Sequence, residues 1–254
     1  MDFELSQEQQ MIRQTVREFA EREVKPRAQE LDAKAEFSYK LTKMMGDLGL
    51  FGMNLPEKYG GQGLDTLSYI IAVEEMARVD GSQAATLAAH NSLGISPLYE
   101  FGTEEQKMKY LPQLCTGEGL WSFGLTEPGA GSDSRGSKTT AVLDGDEWVI
   151  NGSKIFITNG ASDISKGCTV QTVSGEKDGK KLFTTVIVES GTPGFRRVVM
   201  HNKMMWRASD TSELYFDDVR VPKENLLGKV GEGSHIMLHT LDGGRLSIGA
   251  TGLG

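Results

Sequence analysis

Along the first 118 residues of the chain, apolar side chains recur every three or four positions, with polar and charged residues between them. This spacing is typical of amphipathic helices that bury one face. Ile12 and Val16 belong to one such series. Ser6, with Gln9 three residues later, forms a capping box that predicts where that helix begins. The pattern therefore predicts an N-terminal helical domain over residues 1–118.

One segment of this helical part, residues 82–96, is rich in alanine. Small side chains let a helix pack closely against its neighbour, or leave room beside it for a ligand. Close packing is the more general interpretation, and both stay open at this point. We expect Pro97 to end the helix, because proline lacks a backbone N–H and its ring clashes with the preceding turn.

After residue 118 the pattern changes to short apolar runs separated by turn residues. The pairs Asp144–Gly145 and Asp178–Gly179 each stand between two such runs, which predicts β-hairpins. The helical spacing returns near the end of the chain. The expected fold class is therefore α+β. The helical domain is followed by an antiparallel β domain over residues 119–228, and residues 229–254 form the first helix of a truncated C-terminal helical domain.

Composition and charge narrow the range of functions. The net charge of -8 disfavours a nucleic-acid partner, which would need a basic face. Cys115 and Cys168 are far apart, so we expect two buried reduced thiols rather than a disulfide or zinc site. His235 and His239 would share a helix face but have no third ligand in a known motif, so we expect no metal. Without a secretory signal or a long apolar run, we expect no membrane span and a cytoplasmic location.

A loop rich in Gly, Ser and Asp covers residues 125–136 and directly follows an apolar run. Such a loop exposes backbone N–H groups and can hold a flat polar ring or an anion, although ordinary turn chemistry is the better explanation of the loop taken alone. Its glycines at positions 129, 131 and 136 do not fit the spacing of the dinucleotide or P-loop fingerprints. The loop alone therefore predicts no particular ligand.

Several short blocks in a fixed order point to a family. They are His90–Leu93, Tyr110–Pro112, Gly124–Glu127, Ala130–Asp133, Asn151–Lys154, Ile157–Gly160 and Val219–Pro222. Together they cover essentially the whole chain and resemble the acyl-CoA dehydrogenases. These flavoenzymes introduce an α,β double bond into an acyl-CoA thioester. The resemblance implies FAD as cofactor, an acyl-CoA substrate, electron-transfer flavoprotein as electron acceptor and a homo-oligomer, a tetramer at full length.

The resemblance also implies which residues contact the flavin. They are Phe123, Gly124, Leu125, Thr126, Gly131, Ser132, Phe156, Ile157 and Thr158. Most members carry Trp where Phe156 stands, so the aromatic face is kept and the indole N–H is lost. The hydroxyl of Thr158 is expected to donate to the flavin nitrogen that receives hydride, which favours the charge that develops there.

The substrate contacts implied by the resemblance lie on two helices and the loop. They are Ser132, Ala84, Ala89, Leu241, Asp242, Gly243, Gly244 and Arg245. Arg245 could instead form an ordinary salt bridge on the helix surface. Ala84 stands where glutaryl-CoA members carry Arg, so we expect a neutral acyl group that is short, branched or alicyclic. A carboxylate buried there without a partner would be costly.

No catalytic base is expected within this chain. In most family members the base is a carboxylate of a C-terminal domain, which implies a Glu or Asp beyond Gly254. A minority carry it at the position of Gly244, which has no side chain. Asp242 would face about 200° away from Gly244 on an ideal helix. Two alternatives remain: an oxidase that passes electrons to oxygen, and a non-catalytic scaffold that binds acyl-CoA or flavin.

Overall fold

The computed structural model describes residues 4–254, and its helices fall in two stretches of the chain. The helices are α1 Gln7–Phe19, α2 Lys25–Lys34, α3 Tyr39–Asp47, α4 Thr66–Ala77, α5 Gly81–Ala89, α6 Ser96–Phe101, α7 Glu104–Leu114 and α8 Gly233–Leu253. The predicted capping box is confirmed, since Ser6 Oγ accepts a hydrogen bond from Gln9 N and Gln9 Oε1 accepts one from Ser6 N. No helix of the described part is long and apolar enough to cross a membrane.

The predicted helix end at Pro97 is wrong. The backbone continues from α5 through a π-helical turn, His90–Ile95, directly into α6, where Pro97 lies in the first turn. The same arrangement precedes α2, where the π-turn Ala20–Val24 leads into Pro26. In both places the π-turn already interrupts the regular i→i−4 hydrogen-bond ladder, so the missing N–H of proline is tolerated and the helix continues.

The strands form one sheet, mostly antiparallel as predicted. They are β1 Leu120–Gly124, β2 Thr140–Asp144, β3 Glu147–Thr158, β4 Ser165–Lys177, β5 Lys180–Glu189, β6 Phe195–Val199, β7 Thr211–Pro222 and β8 Leu226–Leu227. Their order is β6-β7-β3-β2-β4-β5-β8, and β1 pairs in parallel with β4. Both predicted hairpins are confirmed: Asp178–Gly179 is the turn between β4 and β5, and the turn between β2 and β3 is Gly145–Asp146, directly after the last β2 residue, Asp144.

Strand β3 is longer than the sequence pattern suggests. Residues 154–158, which the sequence pattern alone would make a separate short strand, continue the strand that begins at Glu147. Its pairing with β7 shifts register twice, between Ile150 and Gly152 and between Lys154 and Ile157. Because a bulge bends a strand and redirects its side chains, the shifts hide the continuity from a period-2 pattern. The long strand carries its last residues toward the helices.

The helices and the sheet meet at a small apolar cluster. Phe123 belongs to β1, and Leu125 directly follows that strand. Met237 and Leu241 belong to α8, and Leu93 lies in the π-turn before α6. Phe123, Leu125 and Met237 are buried, and the other two are partly buried. The loop after β1, the π-turn and α8 therefore converge at one place.

His90 is fully buried and joins the helices to the sheet. Its Nε2 is 2.8 Å from Leu114 O, and its Nδ1 accepts a hydrogen bond from Trp121 N at 3.1 Å. These partners require the neutral tautomer with the proton on Nε2. Burial lowers the pKa of His90 to about 4, although the two backbone hydrogen bonds act against this. His90 is thus a core histidine with both ring nitrogens paired.

Replacing His90 by Gln tests this assignment. Below its ordinary pKa of 6.5 the unfolded chain binds a proton that the folded chain refuses until about pH 4, so stability falls as the pH falls through that window. The free energy of unfolding should drop by about 2 kcal/mol between pH 7 and pH 5 because of this residue. Urea unfolding should show that share of the drop missing in H90Q and retained in H201Q, since His201 is exposed. Equal drops in the wild type and H90Q would contradict the assignment.

Candidate functional site

A cavity of about 140 Å³ opens where the helices meet the sheet. Its lining residues are Ala89, Leu93, Ser122, Phe123, Leu125, Thr126, Phe156, Ile157, Thr158 and Leu241. They come from four places: the end of α5 with the π-turn, strand β1 with the loop after it, the end of β3, and α8. Most of the lining is apolar, which suits a hydrophobic ligand with a few polar groups.

The cavity brings together six of the nine residues predicted to contact flavin. These are Phe123, Leu125, Thr126, Phe156, Ile157 and Thr158. The other three lie elsewhere: Gly124 is packed inside β1, where an added Cβ would come within 3.0 Å of Cys168 Sγ. Gly131 and Ser132 are exposed on the glycine-rich loop and do not line the cavity.

Two of the predicted substrate contacts, Ala89 and Leu241, line the same cavity. Ala84 does not, since it is fully buried in the core of the helical part. The step of five positions from Ala84 to Ala89 rotates their side chains apart by about 140° on a helix, so only Ala89 reaches the cavity. Ala84 therefore does not line this cavity.

The remaining predicted substrate contacts, apart from Ser132 of the loop, follow one another on α8. Asp242, Gly243 and Arg245 are exposed, and Arg245 pairs with Asp242 on the helix surface, which was its alternative interpretation. Gly244 is buried, and an added Cβ would lie 3.1 Å from Leu93 Cδ2, a residue of the cavity wall. The position where some family members carry the base is thus adjacent to the cavity in this chain.

Phe156 presents its ring to the cavity from a strained backbone. Its φ is +59°, in the left-handed region that costs a residue with a Cβ free energy. The side chain is 63% exposed, although Phe156 is an aromatic residue near the end of a long strand. Strained residues that persist in a fold are concentrated at functional sites. The backbone geometry thus directs an aromatic face into open space beside the cavity.

A buried ion pair holds two walls of the cavity together. Lys154 of β3 is fully buried, and its Nζ donates to Glu127 Oε1 at 2.8 Å and to Leu125 O at 3.2 Å. Beside it, Ile155 N donates to Thr126 O at 2.9 Å. The loop after β1 and the end of β3 are therefore connected by three hydrogen bonds, one of them between buried charges.

Glu127 also anchors the far end of the glycine-rich loop. Its carboxylate accepts hydrogen bonds from Lys138 N at 2.7 Å and Thr139 N at 3.0 Å. Burial alone would raise the pKa of Glu127, but the hydrogen bond and charge of Lys154 outweigh it and bring the pKa to about 2. Glu127 is therefore ionised at neutral pH and has a structural role.

Sequence reasoning missed this pair. In the sequence, Glu127 and Lys154 stand out only as members of two separate family blocks. A signal was present, because Trp148, Ile150 and Lys154 share a parity along the strand and would all point inward. A lysine in such a register needs a buried partner. The register shift after Ile150 makes that parity unreliable.

The cavity offers polar groups that fit a flavin ring. In the described residues 4–254, no protein hydrogen bond is made by the side-chain hydroxyls of Thr126 and Thr158, and both residues are only half-buried. Each hydroxyl can therefore serve a ligand that lies against the apolar walls. The residues present fit the edge of an isoalloxazine ring, and a volume near 140 Å³ admits part of such a molecule rather than a whole FAD.

No comparable arrangement for a metal exists in the part of the chain that the structure describes. Within it, no group of three or more His, Cys, Asp and Glu side chains is placed to hold an ion. His239 Nε2 lies 2.5 Å from Glu100 Oε2, and the ring of His235 packs edge-on against Phe101. These two histidines therefore have ordinary packing and pairing roles.

Comparison with known proteins identifies the family. Residues 6–118 match the model of the acyl-CoA dehydrogenase N-terminal domain, and residues 122–219 match that of the middle domain. The chain is 49% identical to a probable acyl-CoA dehydrogenase of Bacillus subtilis over 100% of its own length and 67% of that protein. It is also 49% identical to a short-chain specific acyl-CoA dehydrogenase of Clostridium acetobutylicum, covering 100% of this chain and 66% of that one.

Solved structures agree. The butyryl-CoA dehydrogenase of Megasphaera elsdenii superimposes with a TM-score of 0.94 at 43% identity, over 99% of this chain and 66% of that one. A structure of the electron transferring flavoprotein of Acidaminococcus fermentans contains a chain with a TM-score of 0.94 and 47% identity, at the same coverages. An acyl-CoA dehydrogenase of Bacillus anthracis complexed with FAD gives 0.89 at 41% identity, over 98% and 42%.

The fold and the site thus define a flavoprotein dehydrogenase architecture, and the chain belongs to the acyl-CoA dehydrogenase family. It spans about two thirds of the length of its curated relatives. The family models that match it describe an N-terminal and a middle domain. The activity of the whole protein is therefore a matter for proposal.

Replacing Glu127 by Gln should destabilise the protein strongly, because it leaves the Lys154 ammonium buried without a counter-charge. We expect a loss of about 3–5 kcal/mol in the free energy of unfolding at pH 7, measured by chemical denaturation. The matched control is E147Q, which removes a partner of the exposed Arg220 and should cost less than about 1 kcal/mol.

The double variant E127Q/K154M completes this test. Methionine removes the buried charge at nearly constant volume, so the double variant should recover part of the stability lost in E127Q. If E127Q and E147Q cost the same free energy, the pair does not hold the loop.

Proposed function

We propose that the full-length protein oxidises an acyl-CoA thioester to its α,β-unsaturated product with FAD as cofactor. The observation that carries this proposal is that the two segments expected to contact flavin, one around Phe123–Thr126 and one at Phe156–Thr158, line a single cavity with residues of two helices. The relatives named short-chain specific and butyryl-CoA dehydrogenase support a short acyl group.

The lining of the cavity also favours a neutral acyl group. None of its ten residues carries a charged side chain, so a distal carboxylate would lose its hydration without gaining a partner. Ala84 lies in the helical core and is not part of this lining. Leu93, Leu125 and Leu241 surround a small apolar volume, which suits a few methylene groups.

When bound, FAD would accept the hydride that leaves the β-carbon. Thr126 and Thr158 would each offer a hydroxyl to the polar edge of its ring, and Phe123, Leu125 and Leu241 would exclude water from the reacting atoms. The cavity lining contains no carboxylate that could take the α-proton. Gly244 lies beside the wall but has no side chain, so we assign the base to a Glu or Asp outside the described residues.

Electron-transfer flavoprotein is the acceptor that we propose. The support is the family itself and the chain of 47% identity found in a structure of the electron transferring flavoprotein of Acidaminococcus fermentans. A homotetramer is proposed for the full-length protein on the family resemblance alone.

The direct test of this function is anaerobic mixing of the flavin-loaded full-length protein with acyl-CoA thioesters. Butyryl-CoA should bleach the flavin absorbance near 450 nm within seconds, on the order of typical turnover rates. Glutaryl-CoA should act more slowly, because the cavity offers its carboxylate no cation. Faster bleaching by glutaryl-CoA would contradict a neutral acyl group, and no bleaching by any thioester would leave a binding scaffold.

Replacing Thr158 by Ala should slow flavin reduction more than it weakens acyl-CoA binding. A donor that serves developing charge matters most in the transition state, and its loss is expected to cost on the order of 100-fold in rate. T158S keeps the hydroxyl and is the matched control. An unchanged reduction rate in stopped-flow experiments with T158A would exclude the hydroxyl from the mechanism.

A further inference from the structure

The last residues of β3 adopt a conformation that the strand would not adopt alone. Phe156 has a φ of +59° and Asn159 a φ of +61°, and the two cavity residues Ile157 and Thr158 lie between them. Left-handed backbone at a residue with a Cβ costs on the order of 1–2 kcal/mol. Because two such residues flank Thr158, outside contacts must fix its orientation.

Asp210 supplies most of these contacts at the turn that follows Thr158. It is 3% exposed, and its Oδ2 accepts hydrogen bonds from Ala161 N and Ser162 N, both at 2.8 Å. Its backbone oxygen accepts a third hydrogen bond from Asn159 N at 3.0 Å. One residue thus binds three of the four amides of the turn 159–162.

Other contacts hold the same turn but do not duplicate this role. Asn159 Nδ2 donates to Thr86 O at 3.1 Å, which ties the turn to α5. Ser212 Oγ donates to Ile157 O at 2.9 Å. Arg197 Nη1 lies 3.3–3.5 Å from three carbonyl oxygens of this region, at the long end of hydrogen bonding. Asp210 is the residue that binds the N–H groups of the turn with its side chain.

The loop that carries Asp210 is itself fixed. Lys203 Nζ donates to Trp206 O at 2.8 Å and to Thr211 Oγ1 at 2.9 Å, and it also contacts Ser209 O. These three acceptors flank Asp210 along the chain. A carboxylate held on both sides can impose its position on the turn that it binds, rather than adapt to it.

Asp210 uses only one of its two carboxylate oxygens. Oδ1 is buried and has no hydrogen-bond partner among the described residues, whereas Oδ2 makes both side-chain hydrogen bonds. Burial raises the pKa of Asp210, although the amides of Ser162 and Ala161 and the charges of Lys203 and Arg197 act against this rise. An asparagine could present one oxygen to the same two N–H groups without a charge.

We propose that Asp210 is a positioning residue for the dehydrogenation: by holding the turn 159–162, it fixes the Thr158 hydroxyl and the Phe156 ring at the cavity. This inference rests on the proposed function. It assigns Asp210 no contact with substrate or flavin. A hydroxyl displaced by about 1 Å loses much of its effect on a transition state, so a residue that sets its position affects the rate of reduction.

The test compares three variants of the flavin-loaded full-length protein. D210A removes both side-chain hydrogen bonds, and D210N retains an acceptor. D65A is the control: it removes the N-cap of α4, whose carboxylate accepts a hydrogen bond from Ser68 N at 2.7 Å, and Asp65 does not line the cavity. D210A should reduce the flavin roughly 10- to 100-fold more slowly, with the acyl-CoA Kd changed less than about threefold. D210N should stay within about threefold of the wild-type rate, and D65A should lose stability without losing rate.

Amide hydrogen exchange in the flavin-free protein gives a second readout, which is independent of catalysis. Peptides that cover 157–162 should exchange faster in D210A than in the wild type or D210N. If D210A does not fold, D210S replaces it and should be intermediate. Wild-type reduction in D210A, equal slowing in D210N and D210A, or unchanged exchange in D210A would each overturn the proposal. If no acyl-CoA bleached the flavin of the wild-type protein, the proposed function would be refuted. Amide hydrogen exchange would then still test whether Asp210 holds the turn 159–162.

Discussion

The buried ammonium of Lys154 is the constraint on which the site depends. A charge without water must be paired, and its partners here are Glu127 and the carbonyl of Leu125, both on the loop after β1. Because these hydrogen bonds tolerate little displacement, the loop cannot move relative to β3 without exposing or unpairing the charge. One wall of the cavity is thereby fixed to the other.

The rest of the arrangement follows from this constraint. Strand β3 has to be long and twice shifted in register to bring Lys154 inside and Phe156 to the cavity. The left-handed residues Phe156 and Asn159 then turn the chain out of the sheet, and Asp210 takes up the amides that the sheet leaves unpaired. His90 aligns the π-turn with β1 from the opposite side. These contacts support one another, as is expected of native contacts in a natural sequence.

Local patterns in the sequence were enough to predict the order of helices and strands. The capping box at Ser6, the two Asp-Gly hairpins and the return of the helical period are short-range signals, and each is found as predicted. The predicted helix end at Pro97 was wrong, because the π-turn before Pro97 lets the helix continue. Residue propensities do not predict such a turn. The family resemblance implied that the segments around Phe123 and Phe156 contact the same ligand, but it did not give the backbone conformation of either segment.

The contacts missed by sequence reasoning are those between residues far apart in the chain. Lys154 and Glu127 are separated by a loop and a hairpin, and Asp210 meets Ala161 only after three further strands. Ala84 was assigned to the substrate site by position, although the helical rotation turns it into the core. Such pairings depend on tertiary packing, which periodicity and motif spacing do not contain.

The central claim is that the cavity between β1, the end of β3 and α8 receives the flavin. Amide hydrogen exchange of the full-length protein with and without FAD tests it most directly. The account predicts that FAD protects the peptides covering 123–127 and 156–160. A larger crevice of about 520 Å³, lined by Thr103, Lys109 and Tyr110 among others, should show no change. Protection confined to that crevice, with the cavity segments unchanged, would contradict the account.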